Sequence, residues 1–90
     1  MAYQSKSLSA LAYANGFTLW HYRTADLATD VDTTGYFNAA VKMMRVGDFV
    51  MVNSGVGTAA PAHGIMIVVS NDGTIVDLSN ATALGTADTD

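Results

Sequence analysis

Ninety residues, half of them apolar and 13% charged, make one small domain, and a chain of this size buries only about 60 to 65% of the surface its unfolded form exposes, so partner subunits are expected to cover part of the apolar surplus. The absence of cysteine excludes disulfides and thiolate zinc sites, and a formal charge of −4, with Lys6, Arg23, Lys42 and Arg45 as the cations, excludes neutralising a run of phosphates, so no nucleic-acid partner is expected. The longest apolar run, residues 64–69, is far short of the roughly 20 residues of a spanning helix, so no membrane partner is expected, and the N-terminus reads as unprocessed.

In chain order, residues 1–6 read as a short polar arm, residues 7–79 as the core of a single domain and residues 80–90 as a polar, acidic tail without periodicity. Leu8, Leu11 and Ala12 fall at helical spacing, with Ser7 as a cap and Asn15-Gly16 as a helix end, which predicts a short helix over residues 7–14. Phe17 to Thr24 alternates, with Phe17, Leu19, His21 and Arg23 on one side and Thr18, Trp20, Tyr22 and Thr24 on the other, and predicts a strand. Ala25 to Asp32, with Asp26, Asp30 and Asp32, reads as an acidic surface connection.

Thr33 or Thr34 is placed to cap an amphipathic helix over residues 35–45, with Phe37, Ala40, Val41 and Met44 as its apolar stripe, Asn38, Lys42 and Arg45 opposite, and Gly47 as its stop. Two nearly continuous apolar strands follow, at residues 48–53 and 64–70, both read as buried on two sides. Between them residues 54–63, with Gly55, Gly57 and Pro61, read as a flexible loop. Asn71-Asp72-Gly73 is a turn signal, so residues 64–79 read as a β-hairpin. The fold class expected is mainly β (α+β): a small antiparallel β barrel or sandwich with one amphipathic helix.

Chemistry-bearing constellations are sparse. His21 and His63 are the only histidines and share no metal-ligand spacing, so neither a metal nor any other cofactor is expected. Asp77, flanked by Val76 and Leu78, reads as a solvated or hydrogen-bonded strand carboxylate before it reads as an acid catalyst. Ser54-Gly55-Val56-Gly57 lacks the lysine and the helix start of a phosphate loop, and Asn80-Ala81-Thr82 matches a glycosylation sequon with nothing else to indicate secretion. Trp20 and Tyr22 with Arg23 have the composition of an interaction hot spot, and with His63 they form the candidate protein interface. Trp20 reads equally as the core anchor of a small domain, and both readings stand at this point.

Gly47-Asp48-Phe49-Val50, His63-Gly64-Ile65-Met66-Ile67-Val68 and Gly73-Thr74-Ile75-Val76-Asp77 resemble the strand grammar of amidase and cysteine-peptidase cores. Those families use a cysteine nucleophile and this chain has none, so the expectation is that it is not an enzyme of that mechanism, and no catalytic residues are assigned.

Residues 15–24 (Asn-Gly-Phe-Thr-Leu-Trp-His-Tyr-Arg-Thr), joined to Gly35-Tyr36-Phe37-Asn38-Ala39-Ala40 and Arg45-Val46-Gly47-Asp48, resemble small structural proteins of phage and prophage head genes, over roughly residues 8–80. The resemblance implies a head decoration or cement protein on the outer capsid surface of the virion. It also implies a homo-oligomer, a trimer at local three-fold positions, with the major capsid protein as partner. A tail or baseplate component, or a small ligand- or glycan-binding β module with a pocket near Trp20, Tyr22 and His21, is the alternative.

Overall fold

A computed structural model describes residues 3–85. Its first element is a 3₁₀ turn, Ser5–Ser7, spanning the end of the expected arm over residues 1–6 and the expected helix cap Ser7, and Leu8–Ala14 is strand β1, not a helix. The reason lies in Asn15 and Gly16, which take φ of 53° and 87°. Successive positive φ values make the tight turn that suits hairpin twist, so residues that would close a helix instead fold β1 back onto β2, Phe17–Arg23.

The connection over residues 24–48 carries the chain across one face of the sheet. It contains a four-residue helix α1, Ala28–Val31, and a 3₁₀ turn, Asn38–Ala40. The remaining strands are β3, Phe49–Ser54; β4, Ala62–Asn71; β5, Val76–Leu78; and β6, Thr82–Ala83. The order is β1-β2-β3-β4-β5, with β6 pairing the start of β4. The fold is mainly β with one small helix, as expected, and the β4–β5 hairpin forms at the predicted place. All pairs are antiparallel except β2–β3, which is parallel because the crossover returns the chain to the same end of the sheet.

The amphipathic helix expected over residues 35–45 does not form. Gly35 takes φ 89°, and side chains of the sheet capture backbone and polar groups around the following turns. Asn38 Oδ1 accepts from the Val76 N–H (2.9 Å), while Asn71 Nδ2 donates to the carbonyls of Val41 (2.8 Å) and Met44 (2.7 Å). External partners of this kind satisfy carbonyls that a helix would need to bond itself. The expected stripe nevertheless points inward: Phe37, Ala40 and Met44 are buried, with Val41 packed against them.

The acidic connection is also not wholly at the surface. Val31 is buried by α1, and Asp26 is buried in the aromatic cluster described below. The loop over residues 54–63 is tied down at its start, where the Gly55 N–H donates to the Asp26 carbonyl (2.7 Å) and the Val56 N–H to that of Thr24 (3.0 Å). Gly55 takes φ 62°, and a Cβ there would collide with the Ala60 carbonyl oxygen. In the tail, Thr82–Ala83 form β6; residues 86–90 of the predicted tail and residues 1–2 of the predicted arm lie outside the described residues.

Asp48 closes the crossover onto the sheet. Its fully buried carboxylate accepts from the Thr18 N–H (3.0 Å), the Trp20 Nε1–H (3.1 Å) and the Arg45 N–H (3.0 Å), tying β2 to the residues just before β3. Hydrogen bonds to a charged group each contribute about 1.5 to 3 kcal/mol, and deleting the acceptor leaves buried donors unpaired. Asp48→Ala is therefore expected to lower unfolding free energy by about 3 kcal/mol or more, and Asp48→Asn by less, read from the denaturant midpoint.

Candidate interaction surface

Strand alternation decides what each side chain of β2, β3 and β4 meets. Trp20, Tyr22, Val50, Val52, Met66 and Val68 point to the face covered by the crossover and form the core with Val31, Phe37, Ala40, Met44, Val76 and Leu78. Trp20 and Tyr22 are only 9% and 0% exposed, so these two candidate interface residues belong to the core. Of the two readings of Trp20, the core anchor is the one observed: its ring is inside and its indole N–H is held by Asp48.

Tyr22 sits in an aromatic cluster. Tyr3 stacks on it at 5.6 Å between ring centroids, and Phe37 and Tyr36 meet it edge-on at 5.0 and 6.0 Å. A directed chain of hydrogen bonds runs through the cluster. The Gln4 N–H donates to Tyr22 Oη (3.0 Å), the Tyr22 hydroxyl to Tyr36 Oη (3.0 Å), and the Tyr36 hydroxyl to Asp26 Oδ2 (2.6 Å). Burial, followed by the bond to Asp26, raises the Tyr36 hydroxyl far above its ordinary value, and burial also raises that of Tyr3.

Among the described residues, no layer of this chain lies over the other face of β2–β4. Cross-strand register puts Leu19, Phe49 and Ile67 in one row, His21, Met51 and Ile65 in the next, and Arg23, Asn53 and His63 in the last. Phe17 and Val69 extend the apolar end. Phe17, Phe49 and Val69 are 37, 40 and 49% exposed, and the Phe17 and Phe49 rings lie 5.5 Å apart. All eight acidic residues of the chain are aspartates, and none falls among the outward residues of these three strands. The outward residues of β2, β3 and β4 thus carry no carboxylate in an acidic protein.

The remaining two candidate interface residues, Arg23 and His63, share the row at the polar end of this face, with Asn53 between them. His63 Nδ1 is 2.6 Å from Asn53 Oδ1, and Asn53 Nδ2 is 2.9 Å from His21 Nε2. An amide oxygen accepts and an amide nitrogen donates, so His63 carries its proton on Nδ1 and His21 presents a bare Nε2. Asn53 was not singled out from the sequence; its pairing with both histidines follows only from the β2–β3–β4 register.

The apolar members of the face were also missed, because the continuous runs in β3 and β4 read as buried on both sides. Burial in fact alternates along both strands. The cue was quantitative: a chain with one helix and one crossover lacks the residues to cover two sheet faces.

Among the described residues, clefts of about 450, 200 and 370 Å³ lie beside Gln4 and Asp26, where Arg23 forms part of the wall, between α1 and β6, where His63 does, and along residues 33–36. Trp20, Tyr22 and His21 line none of these three. Asp77 accepts a long hydrogen bond from Thr34 Oγ1 (3.4 Å). Among the described residues no three His, Cys, Asp or Glu side chains are grouped to hold a metal ion, and no helix is long and apolar enough to cross a membrane. Comparison with protein families, curated proteins and solved structures finds no match to this chain.

Two outcomes follow. A tyrosine whose folded pKa is raised adds stability that is complete below its unfolded value of 10.0 and is lost as pH climbs above it. Stability is therefore expected to hold up to about pH 10 and fall beyond, and Tyr36→Phe should flatten that alkaline decline in pH-dependent urea titrations. Nitrogen NMR of the neutral imidazoles should find His21 as the Nδ1–H tautomer; the Nε2–H tautomer would contradict the assigned Asn53 bonding.

Proposed function

We propose that this chain is a structural virion protein, a head decoration or cement protein. It adheres to the outer face of a capsid through the open face of its sheet, associates with copies of itself, and stabilises the shell. The observation that carries the reading is the apolar outward face of β2–β4, with Phe17, Leu19, Phe49, Met51, Ile65 and Ile67 and no carboxylate among the outward residues of those strands. Apolar patches of this kind are contact surfaces for other macromolecules, since their burial contributes about 25 cal/mol per Å². The likeness of residues 15–24, 35–40 and 45–48 to phage head proteins supplies the partner, the major capsid protein.

Adhesion of this sort needs no reaction chemistry. It needs a stiff platform and repetition: many copies on a lattice, each also touching its neighbours, add weak contacts into strong retention. The core side of the sheet, held by Asp48 and the aromatic cluster, supplies the stiffness, and Arg23 with the His21–Asn53–His63 row supplies hydrogen-bonding groups at one border of the contact.

The test is co-sedimentation of purified protein with undecorated heads. The protein is expected to pellet with the heads at micromolar concentration. Phe49→Lys, at an exposed position of the same face, should weaken retention by about tenfold or more, the equivalent of about 1.4 kcal/mol or more. No pelleting, or equal pelleting of the two proteins, would contradict the proposal.

A further inference from the structure

The sheet has two edges, and they are built differently. β1 presents seven consecutive residues, Leu8–Ala14, with neither a charged side chain nor a proline, and every residue after Leu8 is exposed. Natural edge strands are shielded by charges, prolines, shortness or a covering segment. Here the only interruption is a bulge between Ala10 and Ala12. The hairpin also outruns the sheet: β3 pairs β2 only from Leu19 to Arg23, so Tyr13 (64% exposed), opposite Thr18, stands on a projecting ribbon, and Leu11 (55% exposed), at the bulge opposite Leu19 and Trp20, stands on the edge just before it.

The opposite edge is closed. β5 has three residues, and Val76 already gives its N–H to Asn38 Oδ1 (2.9 Å) and its carbonyl to the Gly35 N–H (3.2 Å). β6 has two residues and pairs β4 only at Gly64 and Ile65. Head-to-tail addition of sheets would need an open edge at each end. This chain has one.

We infer that β1 pairs antiparallel with β1 of a second copy across a two-fold axis, joining the two sheets into one. The occupant is a strand because free backbone N–H and C=O groups select one. It is a copy of the same strand because an isologous contact closes with only one open edge per subunit, and because the segment brings no charge to a meeting of two chains of formal charge −4. A two-fold axis normal to the sheet leaves the open faces of both copies on the same side, so the pair presents a doubled platform. The contact goes beyond the capsid reading and is independent of it, since it forms in solution without heads.

In a two-residue hairpin the residues flanking the turn, Ala14 and Phe17, exchange hydrogen bonds across the ribbon, which directs the Tyr13 N–H and C=O outward. The experiment is sedimentation velocity of the full chain over a concentration series, with Tyr13→Pro and, separately, Leu11→Lys, which keeps the backbone intact at an exposed site. Wild type is expected to reach the mass of two copies while Leu11→Lys stays at one copy with unchanged circular dichroism and Trp20 fluorescence. Tyr13→Pro should match Leu11→Lys; if it unfolds, Leu11→Lys decides. In wild type, amide exchange at Tyr13 should slow as concentration rises. A monomeric wild type, a two-copy mass unchanged in Leu11→Lys, or a three-copy mass that survives Leu11→Lys would each overturn the inference.

Discussion

A sheet has two faces, and the described residues of this chain cover one. The connection over residues 24–48 is the only long segment between strands, and it lies on the side where Trp20, Tyr22, Val50, Val52, Met66 and Val68 point. Asp48 fixes that choice by holding the Trp20 indole and the backbone of Thr18 and Arg45 together. With Trp20 and Tyr22 committed inward, alternation sends Leu19, His21 and Arg23 outward, and the register carries Phe49, Met51, Ile65 and Ile67 to the same side. The exposed face is thus a consequence of how the core is closed.

The proposed role is adhesion, and it draws on none of the buried titratable groups. Titratable groups that are buried are already used in holding the fold: Asp48 by three N–H donors, and Asp26 by the Tyr36 hydroxyl at the end of the tyrosine chain. The polar groups left toward the open face are His21, Asn53 and His63, bonded to one another, and Arg23. In a small domain whose stability is a narrow difference between large terms, leaving that much apolar surface uncovered carries a solubility burden. A partner surface relieves it.

Much of the fold was legible in the residues. The alternation of Phe17 to Thr24, the apolar strands around residues 50 and 66, and the Asn71-Asp72-Gly73 turn correspond to β2, β3, β4 and the β4–β5 hairpin. The helix over residues 7–14 was misread because Leu8, Leu11 and Ala12 satisfy helical spacing while Asn15-Gly16 serves equally as a helix end and as a hairpin turn; pairing with β2 decided between them. The helix over residues 35–45 failed for a nonlocal reason, since Asn71 and Val76, far along the chain, supply the hydrogen bonds that shape those turns. Its inward stripe was nevertheless right, because burial depends on the apolar residues and not on the helical bonds. Of the interface candidates, Arg23 and His63 lie in one cross-strand row of the open face with Asn53 between them, whereas Trp20 and Tyr22 are inside; composition marked the aromatic residues as adhesive, and only parity along β2 assigns them a side.

The central claim is that the open face is the surface covered when this protein meets its shell. Because the chain lacks cysteine, one introduced thiol reports on one place, and the most direct measurement is the alkylation rate of Met51→Cys, in the middle of that face, against Thr29→Cys, exposed on the crossover side. On proteins bound to heads, Met51→Cys is predicted to be protected relative to the free chain while Thr29→Cys reacts as before. Equal reactivity of Met51→Cys in free and bound protein would contradict the account.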